Sequence, residues 1–147
     1  MSTEIMSATA RRVVLVDSRD NRRELMRLVV RGDDARAILV GEADCELAAL
    51  AVVDRERADT VVVDIQMPIP EGLATVAALR KRFPDLGIVA CSFDLDPSTV
   101  QRVLAEGADT CLAKPVNRTD IHKALAALPP QATASERIVA GASLSGR

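Results

Sequence analysis

Four polar side chains stand where apolar runs of the sequence end, and their types suit phosphate chemistry. Asp17, Asp64, Ser92 and Lys114 each follow directly on a short run of mostly β-branched or small apolar residues. A carboxylate can act as a nucleophile and become an acyl phosphate. Such a transfer depends mainly on neutralised charge and good positioning. A nearby ammonium and hydroxyl would supply both, since Lys114 would place a positive charge on the phosphate and Ser92 would donate to one of its oxygens.

Two of these side chains also suit a magnesium ion. Mg²⁺ binds through one or two carboxylates together with phosphate oxygens and waters. Asp17 and Asp64 would supply the carboxylates, and the backbone carbonyl of Gln66 would supply a third oxygen. The sequence therefore predicts a site at which a metal and a phosphoryl group meet, provided that the fold brings these segments together.

Alternating segments predict the fold that would do so. Short apolar runs cover residues 13–16, 37–40, 60–63, 87–91 and 110–113, and segments with helical spacing cover about 20–31, 45–53, 72–82, 96–107 and 119–128. Near-continuous apolar strands are typical of a parallel sheet that is covered on both faces. The pattern predicts an α/β fold of the flavodoxin-like (βα)5 type, with a five-stranded parallel sheet and helices on both faces. Ligands of such sheets bind beyond the carboxyl ends of the strands, where the four polar side chains stand.

Helical faces are assigned from the same periodicity. In the second helix, Leu47, Leu50 and Ala51 are predicted to face the core. The basic clusters 22–23 and 80–82 are interpreted as solvated helix faces, with contact to an acidic partner as the alternative.

Length and composition limit the possible functions. The 147 residues suffice for one domain, predicted over 11–128, between a flexible segment at 1–10 and a disordered tail at 129–147. The amino-terminal residues do not resemble a signal peptide, and no apolar run approaches the roughly 20 residues of a membrane span, so a cytoplasmic location without membrane contact is expected. The net charge of −2 and the lack of a basic stripe argue against direct nucleic-acid binding. The three cysteines fit no zinc spacing and are expected to be reduced thiols.

One stretch carries a resemblance to a known family. Asp64 ends an apolar run, Met67-Pro68 follows three residues later and Gly72 eight residues later, which resembles the phosphoacceptor stretch of response-regulator receiver domains, the CheY-like family. Matching pieces occur in the same order over about residues 11–128, and they are Val13 to Asp17, Ser92, Gly107-Ala108-Asp109 and Lys114-Pro115.

The resemblance implies a phosphorylation switch. Asp64 would accept a phosphoryl group from a sensor histidine kinase or a phosphotransfer protein, with Mg²⁺ required. Ser92 and Lys114 would then move toward the phosphoryl group and repack the face made by the fourth helix, the fifth strand and the fifth helix. That face would bind a downstream protein or a second copy of the chain, and the chain itself would not be an enzyme. The Lys114-Pro115 peptide is expected to be cis.

Three positions depart from the family pattern. Ser18 stands where a second acid is usual, so Mg²⁺ affinity is expected to fall, although Asp20 could contribute an oxygen. Phe93 stands where a small residue usually follows the switch hydroxyl, and its ring could narrow the path to the aspartate. Cys111 replaces the aromatic residue that often lies on the fifth strand.

These departures keep two alternatives open. A degenerate receiver would act as a constitutive interaction module whose binding is independent of phosphorylation. A small flavodoxin-like enzyme or nucleotide binder would share the architecture, but Ser18-Arg19-Asp20 follows the first strand where a glycine-rich phosphate loop would be needed.

Overall fold

The computed structural model of the protein describes residues 10–31 and 37–129. The predicted flexible segment 1–10 and tail 129–147 therefore lie outside the described residues, apart from Ala10 and Pro129. Five strands alternate with five helices, and their bounds are β1 Arg11–Val16, α1 Asp20–Arg31, β2 Ala37–Ala43, α2 Glu46–Glu56, β3 Thr60–Asp64, α3 Ile69–Arg82, β4 Gly87–Ser92, α4 Pro97–Glu106, β5 Thr110–Ala113 and α5 Arg118–Ala127.

The strands form one parallel sheet in the order β2-β1-β3-β4-β5, which confirms the predicted fold. Apolar side chains of α2, α3 and α4 pack on one face of the sheet, and those of α1 and α5 pack on the other. The central strands β1, β3 and β4 are buried except at Arg12. The edge strands β2 and β5 are mostly half-buried, and Ile38 is 48% exposed. The prediction that the strands are covered on both faces is therefore confirmed for β1, β3 and β4. It is wrong for the edge strands β2 and β5.

The predicted inner face of α2 is wrong at two positions. Leu47 is 78% exposed and Ala51 is exposed, whereas Ala49, Val52 and Val53 are buried. Residues at i, i+3 and i+4 share one side of a helix, and Leu47 lies about 200° around the axis from Ala49. The size of Leu47 favoured the wrong side of the helix. The buried side is marked by Ala49, Val52 and Val53, which stand at i, i+3 and i+4.

Three helix starts show how the sequence fixes local structure. The Asp96 carboxylate accepts a hydrogen bond from the Thr99 N–H at 2.7 Å and caps α4, whose predicted segment begins at this residue. Asn117 caps α5 in the same way, at 2.8 Å from the Asp120 N–H. The helix α3 begins at Ile69, three residues before the predicted start, because Pro70 is tolerated in a first turn that needs no N–H donor.

Gly72 allows α3 to pack directly against the segment that follows Asp64. A Cβ atom at position 72 would lie 2.1 Å from the backbone oxygen of Ile65. The glycine is therefore required by this close approach of two backbones, and it fixes α3 beside the end of β3.

Arg80 is not the solvated residue that the sequence suggested. Its guanidinium donates to the carbonyl oxygens of Gly107 at 2.9 Å and Leu86 at 2.6 Å, and it pairs with Asp109 at 3.0 Å. The side chain therefore joins the carboxyl ends of α3 and α4. Lys81 and Arg82 in the same cluster are exposed, as predicted.

A second arginine joins the opposite end of the sheet. Arg11 is the first residue of β1 and is buried, and its guanidinium donates to Thr60 Oγ1 at 3.1 Å and to the Pro129 carbonyl oxygen at 2.5 Å. The amino ends of β1 and β3 are thereby connected to the chain that follows α5. Over residues 10–31 and 37–129, no helix has the length and apolar character that crossing a membrane requires.

Candidate functional site

The three charged residues predicted from different strand ends meet at one edge of the sheet. Asp17 follows β1, Asp64 ends β3 and Lys114 follows β5. Lys114 Nζ lies 2.9 Å from Asp64 Oδ2 and 3.4 Å from Asp17 Oδ2. The side chains are only 7%, 3% and 5% exposed for Lys114, Asp64 and Asp17. We call these three residues the acidic pocket.

Asp64 is held ionised by its neighbours. Burial by itself raises the pKa of the Asp64 carboxyl, but the hydrogen bonds from Lys114 and from the Gln66 N–H, at 2.9 Å each, outweigh burial and hold the pKa below its usual value. A carboxylate that is to act as a nucleophile must be deprotonated, and Asp64 meets this requirement at neutral pH.

Asp17 lies in a different electrostatic environment. Burial raises the pKa of the Asp17 carboxyl, a hydrogen bond from the Arg19 N–H at 3.0 Å opposes this effect, and the charge of Asp64 adds to the increase. The two carboxyls share Lys114 but differ in proton affinity, so the pocket holds its negative charge preferentially on Asp64.

Two arginines of α1 reach this region, and the sequence reasoning missed both. Arg22 Nη1 lies 3.2 Å from Asp64 Oδ2, and its side chain is 26% exposed. Arg23 donates to the Asp17 carbonyl oxygen at 2.7 Å and pairs with Glu42 at 3.2 Å. The interpretation of 22–23 as a solvated face is therefore wrong. The available signal was the short connection between β1 and α1, which places the first turn of α1 at the edge of the sheet that carries Asp17.

Ser92 is fully buried at the end of β4, one strand away from Asp64. Its hydroxyl donates to the Asp94 carbonyl oxygen at 3.3 Å and accepts from the Asp94 N–H at 3.1 Å. The hydroxyl therefore interacts with the loop before α4 in this structure. A donation to phosphate requires it to rotate away from Asp94.

Phe93 stands beside the cations of the site and is 58% exposed. Its ring centroid lies 5.5 Å from Arg22 Cζ and 5.6 Å from Lys114 Nζ, within the range of cation–π contacts. Its N–H donates to Gln66 Oε1 at 2.8 Å, which joins the loops after β3 and β4. The ring thus lies next to both basic groups that contact Asp64.

The oxygen atoms of the acidic pocket do not fit a magnesium ion in this arrangement. Among the described residues, no third His, Cys, Asp or Glu side chain joins Asp17 and Asp64 in a possible metal site, so a Mg²⁺ ion would depend on these two carboxylates together with other oxygens and waters. Each carboxylate oxygen of Asp17 and Asp64 already accepts a hydrogen bond, and Ser18 is an exposed serine where the family has an acid. The side chain of Asp20 lies outside the described part of the chain, and a role of the Gln66 carbonyl stays a prediction.

Other predictions near the site have mixed outcomes. The Lys114-Pro115 peptide is cis, as expected, and Met67-Pro68 is cis as well. Cys91 is buried beneath the acidic pocket, and burial raises the pKa of its thiol to about 12, so it is a neutral core residue. Cys111 is half-buried in β5.

Comparisons with known proteins agree with the geometry. The family model described as "Response regulator receiver domain" matches residues 13–126. A protein-glutamate methylesterase/protein-glutamine glutaminase of Hahella chejuensis is 33% identical over 105 residues, which are 70% of this chain and 30% of that protein. The chemotaxis protein CheY of Listeria monocytogenes is 26% identical over 114 residues, or 78% of this chain and 94% of that protein.

A solved structure shows the same fold at similar identity. It is the signal receiver domain of the response regulator NarL from Mycobacterium tuberculosis, with a TM-score of 0.71 and 30% identity, covering 80% of this chain and 94% of that chain. The chain spans only about three-tenths of the length of the methylesterase relatives that it matches.

Proposed function

Because the chain belongs to the response regulator receiver domain family, we propose that it is a phosphorylation switch whose Asp64 accepts the phosphoryl group. Membership of the family connects the chain with two-component signalling. The observation that supports Asp64 as acceptor is its contact with Lys114, at 2.9 Å, within a pocket that also contains Asp17.

The proposed reaction uses an ionised Asp64 as nucleophile. A carboxylate oxygen of Asp64 attacks the phosphorus of a phosphohistidine, the phosphorus–nitrogen bond breaks, and the imidazole leaves with the electron pair and takes up a proton. The product is an acyl phosphate that carries about −1.5 to −2 charges. Lys114 lies in contact with the acceptor oxygen, so it can bind a phosphoryl oxygen without a long movement.

The proposed partners follow from this chemistry. The proposed phosphodonor is a sensor histidine kinase or a phosphotransfer protein, and the proposed location is the cytoplasm. The proposed output is contact with a downstream protein. We assign that contact to the face made by α4, β5 and α5, because the Ser92 hydroxyl bonds the loop that leads into α4 and Lys114 directly follows β5. The proposal concerns the receiver region, for which we propose no enzymatic activity; the match covers about three-tenths of the methylesterase relatives.

Intact-protein mass spectrometry after incubation with acetyl phosphate tests the acceptor. Wild type is expected to gain the mass of one phosphoryl group, and Asp64→Asn is expected to gain none. Asp94→Asn is a matched control, because Asp94 is an exposed aspartate near the pocket whose backbone, not its carboxylate, bonds Ser92. Equal labelling of wild type and Asp64→Asn would disprove the assignment.

A second candidate is a phosphorylation-independent interaction module. The ion pair between Arg22 and Asp64 favours it, because the acceptor oxygen is already engaged by a guanidinium. This candidate predicts that Asp64→Asn binds a downstream partner as tightly as wild type in a pull-down with and without acetyl phosphate. Binding that increases on phosphorylation only in wild type would exclude it. The nucleotide-binding alternative is replaced by the family match.

A further inference from the structure

The charges around Asp64 balance within the chain itself. Asp17 and Asp64 contribute two negative charges, and Lys114 and Arg22 contribute two positive charges in direct contact with them. Burying a charge is costly unless it is paired. The described side chains meet this requirement without any ion from solution.

The position of Arg22 is defined by two contacts. Its guanidinium pairs with Asp64 Oδ2 at 3.2 Å and lies 5.5 Å from the centre of the Phe93 ring. Fixing an arginine side chain costs about 2 kcal/mol of rotamer entropy. The ion pair with the Asp64 carboxylate and the cation–π contact with the Phe93 ring are interactions that offset this cost.

A guanidinium in this place competes with a divalent cation for the same atoms. Asp64 Oδ2 accepts from both Lys114 and Arg22, and Asp17 Oδ2 accepts from Lys114. A Mg²⁺ ion that approached these oxygens would meet two like charges at close range. The serine at position 18 offers a neutral hydroxyl, which is a poor ligand for a hard cation.

We propose that Arg22 takes the place of the divalent cation at Asp64, so that the acidic pocket of this receiver is neutralised by α1 and does not require Mg²⁺. This inference rests on the proposed function, since it assigns Arg22 a role at the same acceptor carboxylate. During phosphoryl transfer the guanidinium would lie against the group that receives the new negative charge. Its planar set of N–H donors suits phosphoryl oxygens.

The test is a titration of each variant with MgCl₂ in the absence of any phosphodonor. Binding is measured by calorimetry and by the amide chemical shifts of residues 17 and 64–66. Wild type and the control Arg31→Met, an exposed arginine at the end of α1, are expected to show no saturable binding at millimolar Mg²⁺. Arg22→Met is expected to show saturable binding that is at least about tenfold tighter than the detection limit met by wild type, which corresponds to about 1.4 kcal/mol. Arg22→Gln is a second neutral variant in case the methionine variant folds poorly.

A second arm separates the two departures at the site. Ser18→Asp restores the family's acid while Arg22 stays in place, and Ser18→Asp/Arg22→Met removes the guanidinium as well. The double variant is expected to bind Mg²⁺ at least about tenfold more tightly than Ser18→Asp alone. Equal affinities of these two proteins, or wild type that binds as tightly as Arg22→Met, would overturn the role of Arg22.

The titration and the phosphorylation assay fail independently. If Asp64 proves not to accept phosphate, the proposed function is lost, but the titration still shows whether Arg22 excludes Mg²⁺. If wild type binds Mg²⁺ as tightly as Arg22→Met and is labelled on Asp64, the inference is wrong and the proposed function stands.

Discussion

Lys114 is the residue whose removal should weaken the fold most directly at the acidic pocket. The substitution Lys114→Met keeps a long apolar side chain and removes the ammonium that contacts both Asp17 and Asp64. Breaking a buried ion pair by removing one partner costs about 3–5 kcal/mol. Arg22 still pairs with Asp64, and the Arg19 N–H still bonds Asp17, so we expect the lower end of that range, about 3 kcal/mol.

Urea denaturation followed by circular dichroism measures this loss. The chain has no Trp and no Tyr, so intrinsic fluorescence is of little use. For a domain of this size the loss corresponds to a decrease in Tm of about 10 °C. Lys123→Met, an exposed lysine on α5, is the control and should change the free energy of unfolding by less than about 0.5 kcal/mol.

A double-mutant cycle identifies the cause. Lys114→Met/Asp64→Asn lacks both the ammonium and one of the two carboxylates that it neutralises, so the cycle should give a coupling energy of about 1–3 kcal/mol. The destabilisation should also shrink at acid pH, because protonated carboxyls need no counter-charge. If Lys114→Met costs no more than Lys123→Met at neutral pH, the view that this ammonium neutralises buried charge is refuted.

Two further predictions concern the backbone and the second carboxyl. Gly72→Ala should destabilise the protein by about 3 kcal/mol or more in urea denaturation, because its Cβ would lie 2.1 Å from the Ile65 backbone oxygen. The control Ala74→Gly, at an exposed site of the same helix, should cost only about 1 kcal/mol. If Gly72→Ala were as stable as wild type or more stable, the close approach of the two backbones would be contradicted. Burial and Asp64 raise the pKa of Asp17, so the folded state binds this proton more tightly than the unfolded chain, and ionisation of Asp17 lowers stability as pH rises above about 3.8. In Asp17→Asn, the free energy of unfolding should therefore decrease less between about pH 4 and pH 7 than it does in wild type. If the pH dependence of the free energy of unfolding were the same in both proteins, Asp17 would not be its source.

Much of the site follows from the order of strands and the residues that end them. Apolar runs of four or five residues predict parallel strands, and parallel strands place their carboxyl ends together. Asp17, Asp64 and Lys114 were therefore expected to meet, and they do so within 3.4 Å. The bounds of α4 were equally predictable, because Asp96-Pro97 at its start and Gly107 at its end act through local backbone preferences.

Other features depend on tertiary packing, which local patterns do not encode. The rotation of α1 about its axis decides whether Arg22 faces solvent or Asp64. The residues in the first turn of α1 are compatible with either orientation. Leu47 is exposed although it is strongly apolar, because the spacing of Ala49, Val52 and Val53 sets the buried side of α2. The partial exposure of Ile38 follows from the sheet order, which puts β2 at an edge. The sequence alone leaves that order open.

The bond from Arg11 to the Pro129 carbonyl has a consequence for how this unit can be joined to others. It fixes the place where the chain leaves α5 at the amino ends of β1 and β3, the opposite side of the sheet from Asp64. The described chain also enters β1 on that side, so both junctions lie at the end of the sheet opposite Asp64. A reporter protein or a second module fused before residue 11 or after residue 129 would begin beneath the sheet and leave the approach to Asp64 open. Fusion architecture and access of a phosphodonor are thus separable in this molecule.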